Sequence, residues 1–209
     1  MAVRIVHHGD GLAFLAQPLP GDHAIITSLP DHSELPELDF DGWRRWFVAT
    51  VELACRAVAD EAVAVFYQTD VKHDGRWVDK GHLVMCGMDA AGSHALWHKV
   101  VCRVAAGTIT FGRPAYAHMI AASRALRVSP GRSTADVLPA LGAMSWSRAM
   151  GMAACEAAVE FVATSTACRT IVDPFCGLGS VLVAANARDL DAIGVERSRR
   201  RAAKARTAR

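Results

Sequence analysis

Residues 171–180 read IVDPFCGLGS, and no other ten residues of the chain constrain its architecture as tightly. Two β-branched residues run into an Asp-Pro turn, glycines follow at alternate positions, and a serine stands where a helix would begin. A strand ending at Asp173, a turn in which Gly177 and Gly179 let the backbone approach a ligand, and a helix amino end near Ser180 describe a nucleotide-type loop. Such a loop usually opens a domain, yet here only residues 181–209 follow it.

Downstream, Gly179 to Ala187 reads as a helix and Ala192 to Val195 as a strand. Glu196 ends that strand seventeen positions after Gly179, where a carboxylate can accept both hydroxyls of a ribose. The last thirteen residues, RSRRRAAKARTAR, carry seven Lys or Arg and no acid on a chain of net charge +2. A basic terminal helix on a mildly acidic body can meet phosphate, or simply keep an Ala-rich segment in solvent.

Upstream, strands and helices alternate, as in an α/β fold. Val3 to His7 and His23 to Thr27 read as strands, Asp41 as the cap of a helix carrying Trp43, Trp46 and Phe47, and Ala62 to Tyr67 as a strand buried on both faces. Trp43 and Trp46 are expected in the core. Residues 68–81 read as a polar loop, followed by a short helix over His82 to Met88. Trp97 to Val104 and Tyr116 to Ser123 suggest an antiparallel pair at one sheet edge. Residues 125–146, with two prolines and two glycines, read as a linker or a loop over the site, before a helix capped by Ser145 or Ser147.

At 209 residues, 52% hydrophobic and 21% charged, the chain is expected to fold as one domain with a full core. No apolar run is long enough to span a membrane and no secretory signal is read, so a cytoplasmic protein without membrane association is expected. The six cysteines are scattered without a CxxC pair, which suggests neither a disulfide framework nor a metal site.

Asp173, Pro174, Phe175, Gly177, Gly179 and Ser180, followed by Gly194-Val195-Glu196, resemble the cofactor half of the S-adenosylmethionine-dependent methyltransferases with a Rossmann-like sheet. The similarity is greatest to those that methylate exocyclic amines of nucleic-acid bases. The resemblance implies that Asp173 and the Gly177 to Gly179 turn surround the methionine moiety of S-adenosylmethionine. Phe175 and Cys176 would line its pocket, and Glu196 would hold the ribose. The family includes circularly permuted members, which explains the late loop: 1–124 would be the catalytic and substrate half and 147–209 the cofactor half. The HHGDG start resembles their first strand and turn, so Asp10 is expected to reach the adenine amino group. An NAD or flavin loop shares the glycines but not this motif pair. Cys176 lacks the Pro-Cys context of a cytosine carbon-5 nucleophile.

Those enzymes carry a D/N/S-P-P-Y/F motif after an aliphatic strand, where this chain has Ser28, Leu29, Pro30 and Asp31. Ser28 and the Leu29 or Pro30 carbonyl could hold an acceptor against the sulfonium, but Asp31 cannot stack on a base. It could orient an amine, act as a general base or bind a cation. Lys72, His73, Arg76 and Trp77 are the expected substrate contacts. Without a large target-recognition insertion, structured RNA such as tRNA is the expected partner, with DNA, a small molecule or a protein as alternatives. A relic that binds RNA without catalysis is a further alternative. Ala-rich helices and Trp97 could serve a homodimer face or pack within one subunit.

Overall fold

The computed structural model describes residues 2–209. The chain runs β1 (Arg4–His8), α1 (Gly11–Leu15), β2 (His23–Thr27), α2 (Phe40–Ala57), β3 (Ala64–Gln68), a hairpin of β4 (Val71–His73) and β5 (Arg76–Val78), and α3 (Lys80–Ala90). It continues with β6 (His94–Cys102), β7 (Tyr116–Ser123), β8 (Val137–Leu138), α4 (Met152–Ser165), β9 (Thr170–Asp173), α5 (Ser180–Ala187), β10 (Asp191–Glu196) and α6 (Arg199–Thr207).

Eight strands form one sheet in the order β1-β10-β9-β2-β3-β7-β6-β8. The five from β1 to β3 are mutually parallel, β7 is antiparallel to both neighbours, and β8 lies parallel to β6. The central strands are apolar without alternation because helices cover both faces; β3 and β9 are buried at every position. The β2-α2-β3 and β9-α5-β10 crossovers run outward in opposite directions from the β9/β2 pair, and parallel crossovers are as a rule right-handed. They therefore place α2 and α5 on opposite faces. α3 packs on α2, and α4 on α5.

Several boundaries differ from expectation for local reasons. Asp39, not Asp41, caps α2, its carboxylate accepting the Gly42 amide at 2.6 Å. Asp41 instead sits in the first turn, where a negative charge suits the helix dipole. The polar stretch after β3 is a hairpin rather than a loop, because Asp74 and Gly75 both take positive φ, the two-residue turn that matches strand twist. The antiparallel pair is not the edge, since β8 adds to β6 from within the expected linker. α4 starts at Met152, capped by Gly151 rather than by Ser145 or Ser147. A Cβ on Gly151 would lie 2.1 Å from the Leu141 carbonyl oxygen, so this crossing admits only glycine. The chain before it is thereby held across the sheet end.

Trp43 is fully buried, as expected, and its Nε1 donates to the Pro30 carbonyl at 3.2 Å, tying the core of α2 to the segment after β2. Trp43→Phe keeps most of the ring but leaves that carbonyl unpaired. Denaturant melts should show a loss of about 1–3 kcal/mol.

Candidate active site

The β9/β2 pair is the point where strand order reverses, and ligands in open α/β sheets sit outside the carboxyl ends of strands at such a point. The segment after β9 is the Gly-rich turn and the segment after β2 is Ser28 to Asp31. A hydrogen bond joins them: Thr27 Oγ1 donates to Asp173 Oδ1 at 2.7 Å, in the core. Gly177 and Gly179 hold φ of 54° and 87°, left-handed values that turn the chain from β9 into α5. Gly11 packs so closely that a Cβ there would lie 2.2 Å from the Pro174 carbonyl oxygen, locking the first turn of the chain against the late one.

Between these segments lies a cavity of about 560 Å³, a normal size for a cofactor. All nine residues expected at the cofactor border it except Gly179, which stands one position behind the wall, its Cα side facing Ala205 of α6. Asp10 caps α1 through its side chain, which accepts the Ala13 amide at 2.9 Å. Glu196 accepts the Ser198 amide at 2.6 Å. Trp46, expected in the core, instead lines the cavity beside Phe175, with ring centroids 6.1 Å apart. The roof is residues 146–150, within and beyond the expected site loop. Trp146 lies under the Arg201 guanidinium, 4.6 Å away, and Ser145 Oγ is 3.0 Å from Ser180 Oγ.

Burial pushes the Asp173 carboxyl up to about 7, with Glu196 adding to the rise and the Thr27 hydroxyl and Phe175 amide opposing it. Two carboxyls thus face a cavity in which an entering cation favours the charged form. Burial also pushes the Cys176 thiol up, so it lines the wall as a neutral group.

Ser28 and Leu29 border both this cavity and a smaller one of about 40 Å³. There Asp31 is buried, with Lys80 Nζ on Oδ1 and Arg113 Nη2 on Oδ2 at 2.9 Å. Both oxygens are taken by cations, so the carboxylate acts as their anchor rather than as a free base. Lys80 is itself held from behind. Its amide donates to Asp70 Oδ1 at 2.8 Å, and Asp70 also faces His118 Nε2 at 3.0 Å, whose Nδ1 meets His98 at 2.9 Å. Burial alone would raise the Asp70 carboxyl, but His118, the Lys80 amide and Trp77 outweigh it and hold it below the usual range.

Lys72, His73, Arg76 and Trp77 border neither cavity. They sit on the β4–β5 hairpin, where His73 stacks on Phe40 at 3.7 Å and Trp77 Nε1 donates to Asp70. Lys80, Arg103, Arg113, Arg148 and Trp146 are the site residues that sequence reasoning missed. Trp97 packs edge-on against Phe161 within the subunit, 5.0 Å between centroids. Among the described residues no helix is long and apolar enough to cross a membrane.

No family model and no curated protein matches the sequence. Solved structures do. A candidate DNA modification methylase from Thermus thermophilus, complexed with S-adenosyl-L-methionine, superposes with a TM-score of 0.75 at 19% identity, over 97% of this chain and 91% of that one. The cytosine-N4-specific PvuII DNA methyltransferase gives 0.75 at 12% identity, over 98% and 86%. The M1.HpyAVI complex with SAM gives 0.67 at 13%, over 98% and 99%. The fold is that of the Rossmann-like methyltransferases. Helices flank its sheet as the α/β reading requires, with the cofactor-type loop late in the chain.

The folded protein holds a proton on Asp173 that the unfolded chain releases at an ordinary carboxylate pKa. Between that value and about 7, rising pH therefore favours unfolding. Asp173→Asn should be more stable than the parent above pH ~7, by about 4 kcal/mol, with the gap closing near pH ~4. Denaturant melts across that range measure it.

Proposed function

We propose that the chain is an S-adenosylmethionine-dependent methyltransferase acting on a nucleic-acid base, with DNA as the polymer. The observation that carries this is the placement of Ser28 and Leu29 between a carboxylate-bearing cofactor cavity and a second, cationic one, at the switch point.

The residues fit the cofactor. Glu196, at the end of β10, is the acceptor for the ribose hydroxyls, and the Gly177 to Gly179 turn passes the methionine portion. Asp173, whose carboxyl burial keeps half-protonated near neutrality, is the counter-ion for its ammonium. Phe175 and Trp46 form the apolar wall, and Asp10 is the acceptor for the adenine amino group. S-adenosylmethionine supplies a methyl group on a sulfonium centre, ready for attack.

The chain's part is then alignment. An acceptor amine must be held about 3–3.5 Å from the methyl carbon with its lone pair in line. The Pro30 carbonyl spends one lone pair on Trp43, and the Ser28 hydroxyl and the Leu29 carbonyl, at the junction of the two cavities, orient the amine. These contacts also remove competing water from the junction.

DNA is preferred to the RNA expected from the sequence because two of the similar structures are a DNA methyltransferase and a candidate DNA methylase. Labelled S-adenosylmethionine should therefore mark duplex DNA, and digestion to nucleosides with mass identification should find an amino-methylated base. Label entering unmodified tRNA or rRNA instead would overturn the choice of polymer. Cofactor affinity should rise with pH through about 7 as Asp173 ionises. In Asp173→Asn it should be flat and about 10–100-fold weaker, by titration calorimetry.

A further inference from the structure

The second cavity differs from its neighbour in charge. Lys80, Arg103, Arg113 and Arg148 border it against two acids, Asp31 and Glu34. Asp31 takes Lys80 and Arg113, and Glu34 lies 3.5 Å from Arg148, so two positive charges remain uncompensated in the wall. Arg103 spends one nitrogen on the Pro114 carbonyl, at 3.0 Å. The polar groups that complete the wall are hydroxyls, those of Ser28, Tyr67, Thr69 and Ser147, and burial pushes the Tyr67 phenol up to about 12, which keeps it a neutral donor. One member is built in rather than draped over the surface: Lys80 is wholly enclosed, fixed by Asp31 in front and by Asp70 through its amide.

The volume narrows the ligand. About 40 Å³ admits roughly three water-sized groups, far less than a purine or pyrimidine ring. A donor-rich, cation-rich enclosure of that size suits the free oxygens of a phosphate, which guanidinium forks grip through paired hydrogen bonds. It shares the Ser28-Leu29 wall with the larger cavity, so an anion seated there would lie beside the group that receives the methyl.

We propose that this cavity binds a phosphate of the acceptor nucleotide, and that Asp31 serves as the positioning residue that arranges Lys80 and Arg113 to receive it. The proposal rests on the methyltransferase reading for its acceptor. It changes how the acceptor is held: an ionic grip on the backbone takes the place of an aromatic stacked on the base.

The test uses the full chain with S-adenosyl-L-homocysteine bound, in calorimetric titrations with the four deoxynucleoside 5′-monophosphates, the matching nucleosides, inorganic phosphate and acetate. Monophosphates should bind about tenfold or more tighter than nucleosides, and inorganic phosphate should compete with them. Arg103→Ala and Arg113→Ala should each erase most of that difference while S-adenosyl-L-homocysteine still binds, which confirms that the variants fold. Equal binding of nucleotides and nucleosides, or a preference that survives both variants, would overturn the proposal. Competition by acetate stronger than by phosphate would overturn it too, in favour of a carboxylate-bearing acceptor. Failure of S-adenosyl-L-homocysteine to bind the parent protein would count against the methyltransferase reading, whereas phosphate preference alone reports on the cavity.

Discussion

The hydrogen bond from Thr27 to Asp173 joins the two strands at which the sheet reverses direction, and each strand delivers one half of the site. β9 ends in the Gly-rich turn and β2 in the Ser28 to Asp31 segment, so the register of this single pair sets the distance between the two segments. Both strands are buried, and a slip of one residue would turn every side chain to the wrong face. The neighbouring helices reinforce the pairing from opposite sides of the sheet, α2 through Trp43 and the Pro30 carbonyl, α5 through the glycine turn.

Around this seam the protein has placed charges where water is scarce. Asp173 tolerates burial by holding a proton up to about pH 7, whereas Lys80 and Asp31 tolerate it by pairing. Burial lowers the Lys80 ammonium's pKa even so, because the neighbouring carboxylate offsets only part of the desolvation. A well-packed apolar pair would support the fold as well as this ion pair does. What such a replacement would remove is the fixed position of two cations beside Ser28.

The sequence exposed the cofactor side far better than the acceptor side, and the reason is range. The loop at 171–180, its glycines and Glu196 belong to one short β-α-β unit, so turn chemistry and spacing suffice to read them. Continuous apolar runs likewise marked His23–Thr27 and Tyr116–Ser123 at the ends they adopt. Lys80, by contrast, follows the helix cap Asp79 and reads as an ordinary solvated lysine, yet it meets an acid 49 positions away. Arg113 reaches the same acid from 82 positions away, out of a turn-rich loop. No periodicity encodes such a meeting. The hairpin residues stand apart from both cavities, and His73, Arg76 and Trp77 border a separate one, because composition does not say which way a hairpin points.

The roof of the cofactor cavity is pinned at Leu141 and Met150, both buried, while the span between them is largely exposed. That span is fastened by the Met152 amide donating to the Ala143 carbonyl at 2.8 Å, by one hydroxyl pair, by one guanidinium over an indole and by one ion pair at 3.5 Å, each worth about 1 kcal/mol or less at such exposure. Under the proposed function, a span so largely exposed is the part of the wall that would yield to let a spent cofactor leave and a fresh one enter, on the timescale of loop motion and without disturbing the sheet beneath.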